Sequence, residues 1–238
     1  DRHVRVSEPL VGRDMRVAVE ERIEASGNPL HPIQNLEEVI RKVDHLKPEI
    51  VVVALLNAYA NNKHEVELCR TLSKKFPNIK ICISTDICNE HGEYERTSTA
   101  VVNAYIAPQT ETYLSTLDKE LMDKGVKAFY IVKSNGGLST ARNAMGSPVH
   151  LIESGPAAGI TAAAKYAEEI NKPDVIAFDM GGTTAKAGVI TGFRPRIINE
   201  FYANRFVNGV DMGGYPIRSA VVDLVEIGAG GGSVAWID

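Results

Sequence analysis

Long apolar runs are missing from this chain of 238 residues: IVVVALL at 50–56 falls far short of the roughly 20 residues that cross a bilayer. The opening DRHVRVSEPL is polar and is no secretory signal, so the chain reads as cytoplasmic and without a membrane partner. Cysteine is scarce. Cys69, Cys82 and Cys88 stand at spacings that fit neither a zinc knuckle nor a redox pair, so reduced, packed thiols are expected. The six histidines lack HExxH spacing, which argues against a histidine-bound zinc. With 26 Lys and Arg against 30 Asp and Glu, no basic excess marks a nucleic-acid partner. No GxSxG or Cys–His signature points to a covalent hydrolase, so any hydrolysis would more naturally draw on a nucleotide. An initiating Met is lacking too, and the chain stops at SVAWID as an apolar run begins, so it reads as a piece of something longer.

What is present is an ordinary globular composition, large enough to bury a sizeable core. Alternation over 16–30 ends in Gly27-Asn28-Pro29 and predicts a strand entering a turn. Leu36, Val39, Ile40, Val43 and Leu46 share one helical face, with Asn35 as cap and Pro48 as stop. The run 50–59 predicts a buried strand, Asn62 caps a helix striped by Val66, Cys69, Leu72 and Phe76, and IKICIS returns as a strand. A long helix is expected over 97–124, kinked or split at Pro108 and closed by Gly125. A buried strand at 128–135, the Gly136-Gly137 turn and a short helix near 140–146 complete a mainly parallel α/β pattern over 1–150. From 151 to 238 the texture changes to a small-residue helix followed by hairpin strands, so a domain boundary is placed near 150.

Within FDMGGTT an apolar strand ends in Asp179, Gly181 and Gly182 allow a tight turn, and Thr183 and Thr184 add hydroxyls. Exposed N–H groups of such a turn bind phosphate, and Asp179 is placed to hold Mg2+ (or Mn2+); the alternative is a plain hairpin turn. The second DMGG, at 211–214, runs into Tyr215-Pro216 and reads as a structural loop, because proline removes a donor. Gly228, Gly230, Gly231, Gly232 and Ser233 lack the third glycine of a dinucleotide fingerprint; nucleotide contact and simple flexibility both remain open. Ser154 is expected to cap a helix whose N-terminus, with Gly155, is a potential anion site; close helix packing is the alternative. Asn135, Gly136 and Gly137 end a strand where α/β sheets place ligands, or form an ordinary turn. Asp179, Glu95 and Glu153 are the catalytic candidates, although Glu95 lies in GEYERTSTA, which also suits a solvated helix start.

Taken in order, EYERTSTAVVNAYIAP, SNGGL, ESGPAAGITAAA, FDMGGTTAKAG, GGYPIR and EIGAGGGSVAWID resemble the hydantoinase A/5-oxoprolinase family, of the actin and sugar-kinase ATPase superfold. The resemblance implies an α/β protein with two ribonuclease H-like lobes: 1–150 would be the end of the first and 151–238 the start of the second. ATP and a divalent cation would lie between the lobes, and FDMGGTT would be the second phosphate loop. The implied activity is ATP-dependent ring opening of hydantoin or 5-oxoproline through phosphorylation of the amide oxygen. Relatives carboxylate ketones, and a nucleotide-gated binding module is the non-enzymatic alternative. A cyclic amide, the rest of the longer chain and a second subunit are the implied partners. Two departures follow: Ala185-Lys186 stands where many relatives have Thr-Asp, and the first phosphate loop is absent, so this stretch alone is expected to be weak or inactive.

Overall fold

The computed structural model describes residues 7–204, 206–207, 210–211, 213–234 and 236, and contacts divide the chain into two units. Residues up to Pro108 together with 202–218 make the first; 109–201 together with the residues from 219 onward make the second.

In the first unit, β1 (Arg22–Ile23) and β2 (Pro29–His31) form an antiparallel hairpin. Gly27 turns it at φ +86, a region that costs an L side chain about 1–2 kcal/mol. The alternating residues from Arg16 to Glu21 form no strand. The Asn35 side chain holds them instead, accepting from the Glu20 N–H at 2.9 Å and donating to the Ala18 carbonyl at 3.2 Å. It therefore precedes α1 (Leu36–Leu46) without a capping bond. The helix closes through Lys47 in the left-handed region, one residue before Pro48. Strand β3 (Ile50–Val53) is shorter than its apolar run, because the backbone turns away at Leu55 and Asn57 to donate to Glu65 and Glu93.

Helix α2 (Lys63–Lys75) buries Leu68 and Leu72, each contributing about 1.5–3 kcal/mol. Val66, Cys69 and Phe76 of the expected stripe pack half-buried against the same core. Asn62 makes no capping bond here; its amide donates to Thr85 Oγ1 at 3.3 Å. β4 (Lys80–Ile83) lies parallel to β3, Val51 opposite Ile81, as the β-α-β order requires. After α3 (Ser84–Ile87), α4 (Glu93–Asp123) starts before the expected Thr97 and runs unbroken through Pro108. Pro108 is exposed and removes one donor, while buried Ala100, Ala104, Ala107 and Leu114 hold the turns around it. Gly125 closes the helix at φ +84: its N–H reaches the Met122 carbonyl and the Val126 N–H that of Leu121, a Schellman pair.

At the carboxyl ends of β3 and β4 lies a fully buried polar network. Glu65 accepts from the Leu55 and Thr85 N–H groups (2.9 and 3.1 Å) and from the Ser84 and Thr85 hydroxyls (2.6 and 3.0 Å). Arg96 Nε donates to Ser84 Oγ at 3.0 Å and Nη2 to the Leu55 carbonyl at 2.5 Å.

In the second unit, β5 (Tyr130–Val132) pairs antiparallel with β6 (Leu138–Thr140), which corrects the expected buried parallel strand at 128–135. So short a connection permits only a hairpin. α5 (Ala141–Gly146) follows, capped by Thr140 Oγ1, which accepts from the Asn143 N–H at 3.3 Å. A 3-10 turn at Pro148–Leu151 leads to α6 (Ser154–Glu169). Then come β7 (Val175–Met180), β8 (Ala185–Thr191), β9 (Arg194–Pro195) and β10 (Ile197–Ala203), whose last two residues belong to the first unit, as do β11 (Phe206–Val207) and β12 (Val210–Asp211); β13 (Tyr215–Val222) re-enters the second unit at Ser219, ahead of β14 (Leu224–Ile227). The sheet order is β14-β8-β7, both pairings antiparallel, with β9 on β8.

Helix α6 covers one face of this sheet, Ala157, Ile160 and Ala164 packing with Ala177 and Ile190. At Gly188 a Cβ would come 2.9 Å from Ile160, so glycine sets the helix-to-sheet approach. The other face carries Ile176, Phe178, Met180, Val189, Val225 and Ile227, all between 50% and 74% exposed. Among the described residues no helix is long and apolar enough to cross a membrane.

Candidate functional site

Strands β7 and β8 pair in register from Val175↔Ile190 to Met180↔Ala185, which puts Gly181–Thr184 at the tip of a hairpin. The Gly181 N–H closes it on the Thr184 carbonyl at 2.9 Å. A second glycine segment lies directly against this turn. The Gly231 N–H donates to the Gly181 carbonyl at 2.9 Å, and the Gly232 N–H to the Gly182 carbonyl at 3.0 Å. Ser233 braces that segment, its Oγ accepting from the Gly230 N–H at 3.0 Å. A Cβ on Gly230 would sit 2.7 Å from backbone atoms of both Gly181 and Gly182.

The clamp has a directional consequence. In a trans peptide C=O and N–H point in opposite directions. Drawing the Gly181 and Gly182 carbonyls toward the 230–232 segment turns the N–H groups of Gly182 and Thr183 the other way. Neither N–H has a hydrogen-bond partner among the described residues, and both residues are exposed. Two adjacent outward donors on glycine-rich backbone are an anion cradle in form.

Asp179 lies on the same sheet face as buried Ala177, toward α6: a Cβ on Gly159 would be 4.0 Å from its Oδ2. Its cross-strand neighbour is Lys186, whose other neighbour is Glu226 on β14, so acid, base and acid form one row. Lys186 is ion-paired to Glu153 and lies 3.6 Å from Glu226. Burial works against its charge, yet the hydrogen bond and charge of Glu153, with Glu226, outweigh burial and raise its pKa. The Asp179 carboxylate has no hydrogen-bond or ion-pair partner among the described residues, and the residue is exposed.

Glu153, at φ +64, occupies the position before α6, and Ser154 is the first helical residue rather than the cap. The left-handed turn at Glu153 lets its carboxylate meet Lys186 instead of bonding the helix N–H groups, and Gly155 is exposed beside it. In the β5–β6 hairpin the Asn135 side chain is engaged in the turn, accepting from the Gly137 N–H at 2.9 Å. Gly136, at φ +79, abuts Thr161 of α6. Glu95 belongs to the first unit, near Gly92.

The structure thus joins Asp179, Gly181–Thr184 and the 228–233 segment, and links Glu153 to them through Lys186. Sequence reasoning noted Lys186 only as a departure from a motif. The available signal was a lone charge in AKAGVI, where small residues on either side leave an inward lysine needing carboxylates. The second DMGG has another setting. Asp211 ends β12, Met212 lies outside the described residues, the Gly214 N–H donates to Ser7 Oγ at 3.1 Å, and the Tyr215 hydroxyl donates to the Glu8 carbonyl at 2.6 Å.

The hydantoinase/oxoprolinase profile matches residues 96–238, and the profile of the hydantoinase/oxoprolinase N-terminal region matches 2–76. The chain belongs to the hydantoinase/oxoprolinase family. Relatives in this family include an uncharacterised Methanocaldococcus jannaschii protein, 41% identical over 97% of this chain and 35% of its own length. The caprolactamase subunit alpha of Pseudomonas jessenii is 28% identical over 96% of this chain and 32% of its own. The acetophenone carboxylase gamma subunit of Aromatoleum aromaticum is 25% identical over 97% and 31%.

The crystal structure of the ATP-dependent caprolactamase from Pseudomonas jessenii matches with a TM-score of 0.77 at 26% identity, over 100% of this chain and 34% of that one. Nucleotide-free acetone carboxylase matches with a TM-score of 0.79 at 24% identity, over 94% and 31%, a likeness of fold. The fold is the α/β, ribonuclease H-like one of the actin and sugar-kinase ATPases, as the sequence led one to expect. The chain spans about a third of the length of these three relatives.

Proposed function

We propose that this chain is the phosphate-binding part of an ATP-dependent enzyme that opens cyclic amides. The observation that carries the reading is the pair of unpartnered N–H donors at Gly182 and Thr183, fixed outward by the clamp from Gly231 and Gly232. These donors would hold ATP phosphate oxygens, with Thr183 and Thr184 hydroxyls beside them. The family includes proteins named as ATP-dependent caprolactamase and 5-oxoprolinase, which supports both nucleotide and substrate class.

No cluster of three metal-ligating side chains occurs among the described residues. The unpartnered Asp179 carboxylate fits Mg2+ all the same, since that ion takes one or two carboxylates and fills its shell with phosphate oxygens and water. When bound there, the ion would neutralise charge on the transferring phosphoryl group. Lys186, held by Glu153 and Glu226, adds a fixed positive charge next to Asp179. ATP bound there would supply the γ-phosphoryl group to the amide oxygen, with ADP as the leaving group. Water would then add to the activated amide carbon, the C–N bond would break, and phosphate would be released with the ring-opened acid. A second subunit would assemble with the chain, since the caprolactamase and acetophenone carboxylase relatives are named as subunits.

The acetophenone carboxylase relative, covering 97% of the chain, favours one second reading: phosphorylation of a ketone enolate before carboxylation. The full-length protein with its partner subunit should form product from 5-oxoproline, hydantoin or caprolactam only with ATP, and Asp179→Asn should lower the rate roughly 10²–10³-fold. Product from acetophenone and bicarbonate instead would move the assignment to the carboxylases. Full activity in Asp179→Asn, or turnover without ATP, would refute the site.

A further inference from the structure

A cavity of about 400 Å³ opens between the β5–β6 hairpin, α5 and the 3-10 turn at Pro148–Leu151, apart from the glycine loops. Its volume suits a small organic ligand. Lys133, Asn143, Ser147 and His150 supply its polar lining, and no carboxylate is among the lining residues. Lys133 is half-buried as a residue, and its ammonium has no ion pair or hydrogen bond among the described residues. Such a cation, unmatched by protein charge, favours an anionic ligand.

The histidine is rigidly held. Its carbonyl accepts from the Ser134 N–H at 2.8 Å and Oγ at 2.6 Å, and its Nδ1 lies 2.7 Å from Ser219 Oγ. Burial lowers its pKa and the charge of Lys133 pushes the same way, so the positive field of Lys133 reaches into the cavity wall. The other wall is apolar. Tyr130 and Leu138 share one hairpin face, Tyr130 opposite Thr140 and Leu138 opposite Val132, and they stand 62% and 64% exposed. Tyr130, Leu138 and Lys133 all line the cavity, which therefore offers both exposed apolar surface and an unpaired cation.

We propose that this cavity binds a small carboxylate with an apolar body, its carboxylate on Lys133 and its body against Tyr130 and Leu138. The site is independent of the nucleotide loop, so its test separates from the function assigned above. Ligand-observed NMR titration of the full-length protein would use benzoate as probe, with benzamide and inorganic phosphate as comparisons. Saturable benzoate binding should weaken about tenfold in Lys133→Met, the loss of one charge-assisted contact, and also in Tyr130→Ser. Tyr130 is exposed enough that its replacement leaves the fold intact, so a poorly folding Lys133→Met does not end the test. Benzamide and phosphate should bind more weakly than benzoate. Absence of saturable benzoate binding, affinity unchanged in both variants, or phosphate binding as tightly as benzoate would each overturn the proposal.

Discussion

Gly230 is the residue on which the Gly181–Thr184 turn leans. Alanine there would place a methyl 2.7 Å from Gly181 and Gly182 backbone, atoms that cannot rotate aside, so overpacking should cost about 1–3 kcal/mol. Gly228 is the natural comparison, because a Cβ there meets nothing within 4 Å. In the full-length protein Gly230→Ala should lower both the melting temperature and nucleotide affinity while Gly228→Ala changes neither; equal behaviour would show that the clamp does not matter. The Asp-x-Gly-Gly-Thr-Thr turn was legible in the sequence, since each residue type has a local reason to be there. Its clamp was not. Backbone-to-backbone contact between segments some fifty residues apart leaves no side-chain pattern to read. Lys186 was half legible: a charge among small strand residues announces a partner without naming Glu153.

At the scale of elements, helices α1 and α2 followed from apolar periodicity, α6 from its run of small residues, and the hairpin β7–β8 from its glycines. The misjudged boundaries share one cause. Leu55, Asn35 and Asn62 engage tertiary partners in place of the local bonds their sequence suits. Glu65 and Arg96 look in sequence like ordinary helix charges, yet both are fully buried and joined through Ser84. Removing one side of such a network leaves the other uncompensated. Arg96→Ala should therefore destabilise by roughly 3–5 kcal/mol, and Ser84→Ala by the smaller 1–3 kcal/mol of an unsatisfied polar group. Urea unfolding of the two variants decides it; a shift under 1 kcal/mol for Arg96→Ala would mean that water replaces the network without cost.

For the molecule as a whole, His150 predicts how stability responds to acid. Its folded pKa is lowered by burial and by Lys133 from an ordinary value of 6.5. Above that value both folded and unfolded chains carry it neutral, and it contributes nothing. Below it the unfolded chain takes up a proton that the folded chain refuses, so stability falls with pH until the folded pKa is passed. His150→Asn should flatten this decline in melting temperature below pH 6.5, and an unchanged or steeper decline would contradict it. Fold class and family could be read from motif order, but the units could not: α4 carries the chain past Pro108 with no change of composition to mark the division. The bare face of the β14-β8-β7 sheet has a practical meaning. Six large apolar side chains on one flat surface exceed the scattered exposure normal for a monomer, so these residues handled alone would be adhesive. Light scattering that rises with concentration and is suppressed by Phe178→Lys would trace the stickiness to that wall of the sheet.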